Sequence, residues 1–155
     1  MDLSDLLKPE AVLPSVHVQS KKQVLQEVCE AAAGLTGLTE REIFDTVLQR
    51  ERLGSTGVGH GVAIPHGKLG AVEKLVGVFA RLARPVEFDS LDDQPVDLVF
   101  LLLAPATAGA DHLKALARIA RVLRDSAVAQ KLRLARDRSE IHQILISPAA
   151  TSHAA

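Results

Sequence analysis

At 155 residues, 47% apolar and 24% charged, the chain has average globular usage and the length of one domain, which excludes intrinsic disorder. Its 18 basic and 19 acidic side chains give a net charge of -1 and no global basic field; with four Phe and no Trp or Tyr, base-stacking platforms for nucleic acid are nearly excluded. A single cysteine excludes an internal disulfide or a cysteine-based zinc cluster, and Cys29 reads as a small core residue on a helix.

The first element in chain order is a short helical turn around Leu3 to Leu7, ended by Lys8-Pro9. Met1 is followed by Asp2 and Asp5 instead of a basic and then apolar run, so no signal peptide is expected. Ser20 and Gln23 form a capping box, after which Val24, Leu25, Val28, Cys29 and Ala32 recur on one helical face. Gly34 and Gly37 are read as its stop. Thr39 and Glu42 make a second capping box, Leu38 can staple onto Ile43, and Ile43, Phe44, Val47 and Leu48 carry the stripe to about Arg52.

Residues 54–61 then form a glycine-rich loop. Val62-Ala63-Ile64 is a short apolar strand ended by Pro65-His66-Gly67, residues 75–82 alternate as a strand, and 86–88 add another short one. After a turn at 89–95, residues 96–103 are almost continuously apolar, the mark of a central strand covered on both faces. Leu113, Leu116, Ala117, Ala120 and Leu123 hold helical spacing, and 127–135 and 139–146 are two more short helices. This order predicts an α/β or α+β-like domain, a mixed sheet sandwiched between helices. The end of the chain from Ser147 is small and polar, so a single domain is placed at 1–147 and a flexible tail at 148–155. The longest apolar runs, 98–105 and 61–65, fall far short of the ~20 residues of a membrane span, so a soluble, cytoplasmic protein is expected.

The nucleotide-loop, dinucleotide and serine-hydrolase motifs all fail on spacing, and there is no His-Glu-x-x-His helix. Of the six histidines, His17, His142 and His153 read as surface or internally satisfied residues. His66 differs. It follows an apolar strand, with Pro65 stiffening the approach and Gly67 leaving room beside the ring. His112 follows the long apolar strand and opens a helix; parallel neighbouring strands would bring the two together. Two imidazoles at one strand edge suit metal ligation, with His60 or Asp111 as a third ligand, or a nucleophilic imidazole assisted by the second.

The segment Arg50-Glu51-Arg52-Leu53-Gly54-Ser55-Thr56-Gly57-Val58-Gly59-His60-Gly61-Val62-Ala63-Ile64-Pro65-His66-Gly67 resembles the active-site signature of the fructose/mannitol-type enzyme IIA domains of the bacterial phosphoenolpyruvate-dependent phosphotransferase system. The resemblance continues through Pro95-Val96-Asp97-Leu98-Val99-Phe100-Leu101-Leu102 to Asp111-His112-Leu113 and so spans nearly the whole chain. With no fused permease or IIB domain, the sequence looks most like the nitrogen-regulatory branch. The resemblance implies a mixed five-stranded sheet with helices on both faces. It implies that His66 is transiently phosphorylated, that His112 assists, and that Arg50 lies close to the phosphate. It implies an HPr-like donor fed by enzyme I, and no metal or nucleotide cofactor. The acceptors would be regulated proteins such as kinases or transporters, or a IIB domain in the sugar-uptake alternative.

The chemistry of the residues agrees with that reading. Transfer between histidines is positioning plus charge stabilisation, and an ordinary imidazole is neutral on one nitrogen at cell pH. Backbone N–H groups of the 54–61 loop, including Gly57 and Gly59, and of Gly67 are expected to form an anion nest; Ser55 and Thr56 offer hydroxyls and Arg50 a planar fork of donors. Arg52 is left as a surface residue. His60 stands where the family is often Glu or Asn, in a loop expected beside the site, as a charge modulator or a tolerated surface residue. From Lys114 to Arg138 eight Lys or Arg face two Asp, a solvated helix face or a docking surface for an acidic partner.

Overall fold

Burial without interruption organises the sheet. In the computed structural model, which describes residues 2–147, the strand β6 (Val96–Pro105) contains seven successive residues, Leu98 to Ala104, with no exposed surface. Successive side chains of a strand point to opposite faces, so both faces of β6 are covered. Its neighbour β5 (Val76–Val86) runs antiparallel to it. On its other edge β3 (Val62–Ala63) and β4 (His66–Leu69) lie parallel to it, one after the other, opposite Leu98–Val99 and then Leu102–Pro105. Outside these, β1 (Val12–Val16) is parallel to β5, and β2 (Gly57–Gly59) is antiparallel to β3. The order β1-β5-β6-β3-β2, with β4 continuing the line of β3, is a mixed sheet of five lateral positions built from six strands.

The capping signals place the helices. In α1 (Lys21–Thr36) the Ser20 side chain accepts from Gln23 N, and in α2 (Glu40–Arg52) that of Thr39 accepts from Glu42 N. α1 runs through Gly34 and stops at Gly37, which takes φ +79° and sends its N–H to Ala33 O. The C-terminal helices are α3 (Ala110–Arg124), α4 (Ser126–Leu134) and α5 (Arg138–Ile146), the last two capped by Asp125 and Asp137. α1 packs on β5, α2 on β4, α3 on β6 and α5 on β1.

Three local expectations are corrected. The strand β1 has no counterpart among the expected elements: it is short and interrupted by Pro14, which an edge strand tolerates because its outer N–H has no ladder partner to lose. The two strands expected at 75–82 and 86–88 are a single β5 with a register irregularity between Arg81 and Val86. The glycine loop is largely a hairpin, β2 and β3 joined by His60 (φ +57°) and Gly61 (φ +79°), the positive pair that a tight two-residue turn requires. The expected tail at 148–155, with His153, lies outside the described residues.

Core readings of the remaining polar groups follow. Cys29 is fully buried, its thiol pushed up to about 12 by burial and by nearby Glu40, so it is inert. His142 is buried and internally satisfied, its Nε2 donating to Leu7 O at 3.0 Å. His17 is exposed beside Ser15. Arg81, which no sequence pattern singled out, donates to Pro14 O, Leu132 O and Ala135 O and so ties α4 to β1.

Candidate functional site

The parallel pairing of β4 with β6 sets His66 opposite Leu102, near the point where β6 ends and the chain turns into α3. The first turn of α3 brings His112 back over it: the two rings stand edge to face, centroids 5.4 Å apart at 61°. The last turn of α2 contributes Arg50. Together they line a cleft of about 600 Å³ whose other walls are Thr46, Gln49, Arg52, Leu53, Gly67 and Lys68. Leu53 and, beside His112, Leu113 are 85% and 67% exposed, so apolar surface accompanies the imidazole pair.

His66 Nδ1 lies 2.9 Å from Ile64 O. A carbonyl oxygen only accepts, so Nδ1 carries the proton and Nε2 keeps the lone pair. Burial lowers the pKa of His66 below 6.5, Arg50 lowers it further, and the Ile64 bond and the Glu51 carboxylate partly oppose them. His112 is lowered too, by burial, then by His66 and Lys68. It is buried, and among the described residues its Nδ1 has no hydrogen-bond partner. Placing its proton on Nε2 leaves only a lone pair unpaired, the cheaper of the two tautomers. Both rings are therefore neutral at neutral pH. Their ring-proton NMR titrations are expected to have midpoints below 6.5. The unfolded chain then binds more protons than the folded one between those midpoints and 6.5, so the two rings' contribution to stability falls as pH drops through that window.

The structure brings together Arg50, His66, Gly67 and His112. It does not bring the glycine loop to them as an anion nest. Thr56 spends both its N–H (2.8 Å) and its hydroxyl (2.6 Å) on the buried Glu51 carboxylate. Ser55 Oγ donates to Phe88 O and accepts from Gly57 N, and His60 N goes to Asp92. A Cβ on Gly57 would sit 2.2 Å from Ser90 Oγ, so this glycine answers a packing need; Gly59 holds φ +96° in the hairpin. The hydroxyls and amides are legible as residue types, but not their internal partners, which for Ser55 Oγ and His60 N lie more than 30 residues away.

His60 sits at the hairpin tip, held by Asp92 and by Arg133, which donates to its carbonyl and forks onto Asp97. It is not among the residues lining the His66 cleft. Asp111 is exposed and faces a different depression. Among the described residues no group of three His, Cys, Asp or Glu could hold a metal ion, so neither residue completes the ligand set considered from the sequence. The basic C-terminal segment is partly internal: Arg133 pairs with Asp97, Arg136 with Glu140, and Arg138 donates to Val12 O. Arg121 and Arg124 are exposed.

Sequence reasoning missed Thr46, Gln49, Leu53 and Lys68 and left Arg52 outside the site. A signal existed. Thr46, Gln49, Arg50 and Leu53 follow the three-and-four spacing of one helical stripe, and Lys68 is two residues from His66, on the same face of the strand. Gly67 points the other way, toward α2. A Cβ there would lie 2.9 Å from Thr46 Cγ2, and Thr46 is held by its hydroxyl on Glu42 O. Gly67→Ala is therefore expected to destabilise the domain by about 1–3 kcal/mol, measured by thermal unfolding, and to shift α2 with Arg50.

The mixed sheet thus carries two facing imidazoles at its parallel edge, on an α/β domain. The chain belongs to the family described as phosphoenolpyruvate-dependent sugar phosphotransferase system, EIIA 2, whose model matches residues 5–147. A nitrogen regulatory protein of Bradyrhizobium diazoefficiens is 62% identical over 152 residues, covering 98% of this chain and 99% of that protein. The nitrogen regulatory protein of Escherichia coli K12 is 42% identical over 152 residues, covering 97% and 93%. The crystal structure of nitrogen regulatory protein IIA-Ntr from Neisseria meningitidis matches with TM-score 0.88 at 34% identity, covering 92% of this chain and 98% of that one. The nitrogen-regulatory resemblance and the mixed α/β fold both stand. Domains of this family work through phosphoryl-transfer partners. Among the described residues no helix is long and apolar enough to cross a membrane.

Proposed function

We propose that this protein is a cytoplasmic histidine phosphocarrier of the nitrogen-regulatory type, which takes a phosphoryl group on His66 Nε2 from the phosphohistidine of an HPr-like protein. The observation that carries the reading is the Nδ1 bond to Ile64 O, which fixes the ring and leaves Nε2 as the nucleophile. The Nε2 lone pair attacks phosphorus. The donor's N–P bond breaks and its electron pair returns to the donor's ring nitrogen. The proton stays on Nδ1 throughout, donated to Ile64 O.

The arriving group brings close to two negative charges, by analogy with other phosphorylated side chains. Arg50 gives one Nη1–H to Gly54 O at 2.9 Å, which steadies the guanidinium and leaves the rest of the fork for phosphoryl oxygens. His112, neutral and one ring away, supplies an N–H. Lys68 and Arg52 add positive charge at the cleft wall. Catalysis here is orientation and charge stabilisation, with no covalent chemistry beyond the imidazole itself. The names of the similar relatives favour regulation of other proteins over sugar uptake.

The deciding experiment is intact-protein mass spectrometry at neutral pH after incubation with phosphoenolpyruvate, enzyme I and an HPr-type carrier. One acid-labile phosphoryl group mapped to His66 is the expected result. No gain with several active carriers would leave a binding module that has lost the relay. Loss of the group on adding a cognate IIB would shift the assignment to sugar uptake.

A further inference from the structure

The cleft uses Arg50, yet the next residue, Glu51, is the anomaly. Its carboxylate is 2% exposed, at the C-terminal end of α2, where a helix already presents partial negative charge. A buried anion in that place is unfavourable unless it is fully partnered. Glu51 has three partners: Lys21 Nζ at 3.0 Å, Thr56 N at 2.8 Å and Thr56 Oγ1 at 2.6 Å. Lys21 comes from the first turn of α1 and also lies over the Phe88 ring, 4.8 Å from its centroid. Its ammonium is 3.9 Å from Asp89, so the start of α1, the end of α2 and the segment after β5 meet at this one pair.

Two consequences reach the cleft. Thr56 is pinned, and with it the reversal at 53–56 whose Gly54 carbonyl holds Arg50. The carboxylate also faces inward to Lys21, so it does not neutralise the arginine beside it. We propose that Glu51, with Lys21 as its counterion, is a positioning residue for phosphoryl transfer: it locks the α2–β2 reversal so that Arg50 reaches the His66 cleft with its charge unspent. This inference rests on the phosphocarrier reading and goes beyond it by assigning work to residues that do not line the cleft.

The charged and titratable groups around His66 are Arg50, Glu51 and Arg52 from α2, Lys68 from its own strand and His112 from α3. Of these Glu51 is the one anion, and its charge favours the protonated ring. Removing that charge while keeping the shape therefore has a signature that a plain packing defect lacks: the His66 titration midpoint moves to lower pH.

The test uses the full chain as wild type, Glu51→Gln, Lys21→Met, Lys21→Arg and Thr56→Val, each checked for folding by circular dichroism. Transfer from the phosphorylated HPr-type carrier is followed against carrier concentration, and His66 is titrated by NMR without the carrier. Glu51→Gln is expected to lower kcat by about tenfold to a hundredfold, the usual effect of removing a group that orients a reacting one, with KM for the carrier nearly unchanged. Lys21→Met is expected to follow it and Lys21→Arg to restore near wild-type transfer. Thr56→Val removes only the hydroxyl donor and serves if Glu51→Gln does not fold; a several-fold loss of kcat is expected. Folded variants that transfer at the wild-type rate with an unmoved His66 midpoint would overturn the proposal. If the wild type itself accepts no phosphoryl group, the phosphocarrier reading falls. The His66 midpoint and the Arg50 Nε–H resonance then decide the positioning role: shifted in Glu51→Gln they support it, unmoved they sink it.

Discussion

His66→Ala is expected to abolish phosphoryl uptake completely while the domain keeps its fold. The ring is half-buried on an edge strand, and its hydrogen bond is local, to Ile64 O two residues away. Losing it should change stability by only about 1 kcal/mol, the net worth of one such bond. On the proposed reading the catalytic loss is total, because the atom removed, Nε2, is the nucleophile itself. His112→Ala is a different experiment. It removes a donor and keeps the acceptor, so transfer should slow by roughly a hundredfold to a thousandfold, the range seen when one stabilising donor is deleted. Mass spectrometry with peptide mapping separates the two cases. A phosphoryl group found on His112 in the His66→Ala protein would reverse the assignment of nucleophile and assistant.

Phe100→Ala is expected to have the largest effect on stability. The ring is fully buried at the centre of β6, edge to face with Phe79 at 6.4 Å. It lies so close over Gly77 that a Cβ there would come within 2.7 Å of the ring. Such closeness means that truncation leaves a cavity the backbone cannot collapse to fill. A loss of about 3–5 kcal/mol follows from comparable core truncations, against a total of about 5–15 kcal/mol for a typical domain. For a chain of this length that corresponds to a fall of roughly 6–20 °C in Tm. With no Trp or Tyr, far-UV circular dichroism is the natural probe. A loss below about 1 kcal/mol would show that the sheet relaxes around the gap, contrary to the packing described. Loosening β6 also loosens β4, which takes its register from Leu102–Pro105, so His66 should lose order before the outer helices do.

Much of this was legible in local signals. Side-chain caps at Ser20 and Thr39 mark helix starts because an orphan backbone donor must be met within three residues. Residues 96–103 announce a central strand because only double-sided burial tolerates so long an apolar run. His66 is legible because the surrounding Ile64-Pro65-His66-Gly67 signature is itself contiguous. The strand β1 was not legible, since five residues with a proline carry little pattern of their own and gain their place only from β5. The glycine loop misled for a related reason: glycine signals that something needs space or a positive φ, not what. At Gly57 the claimant is Ser90, at Gly67 it is Thr46, and neither is near in sequence.

The sequence by itself determined the family, the class of fold, the helix starts at Ser20 and Thr39 and the candidate histidine, because the signals for them are contiguous or lie within a few residues, where sterics and hydrogen bonding act locally. Only the tertiary structure decided which groups share the cleft with it. Pairing β4 with β6 brings together residues 66 and 102, and α3 folds back to add 112. The same folding turns the hydroxyls of Ser55 and Thr56 inward, because a buried Phe88 carbonyl and a buried Glu51 carboxylate must each be satisfied; the first lies 33 residues away, and the second, only five residues back, is buried by packing that its sequence neighbours do not announce.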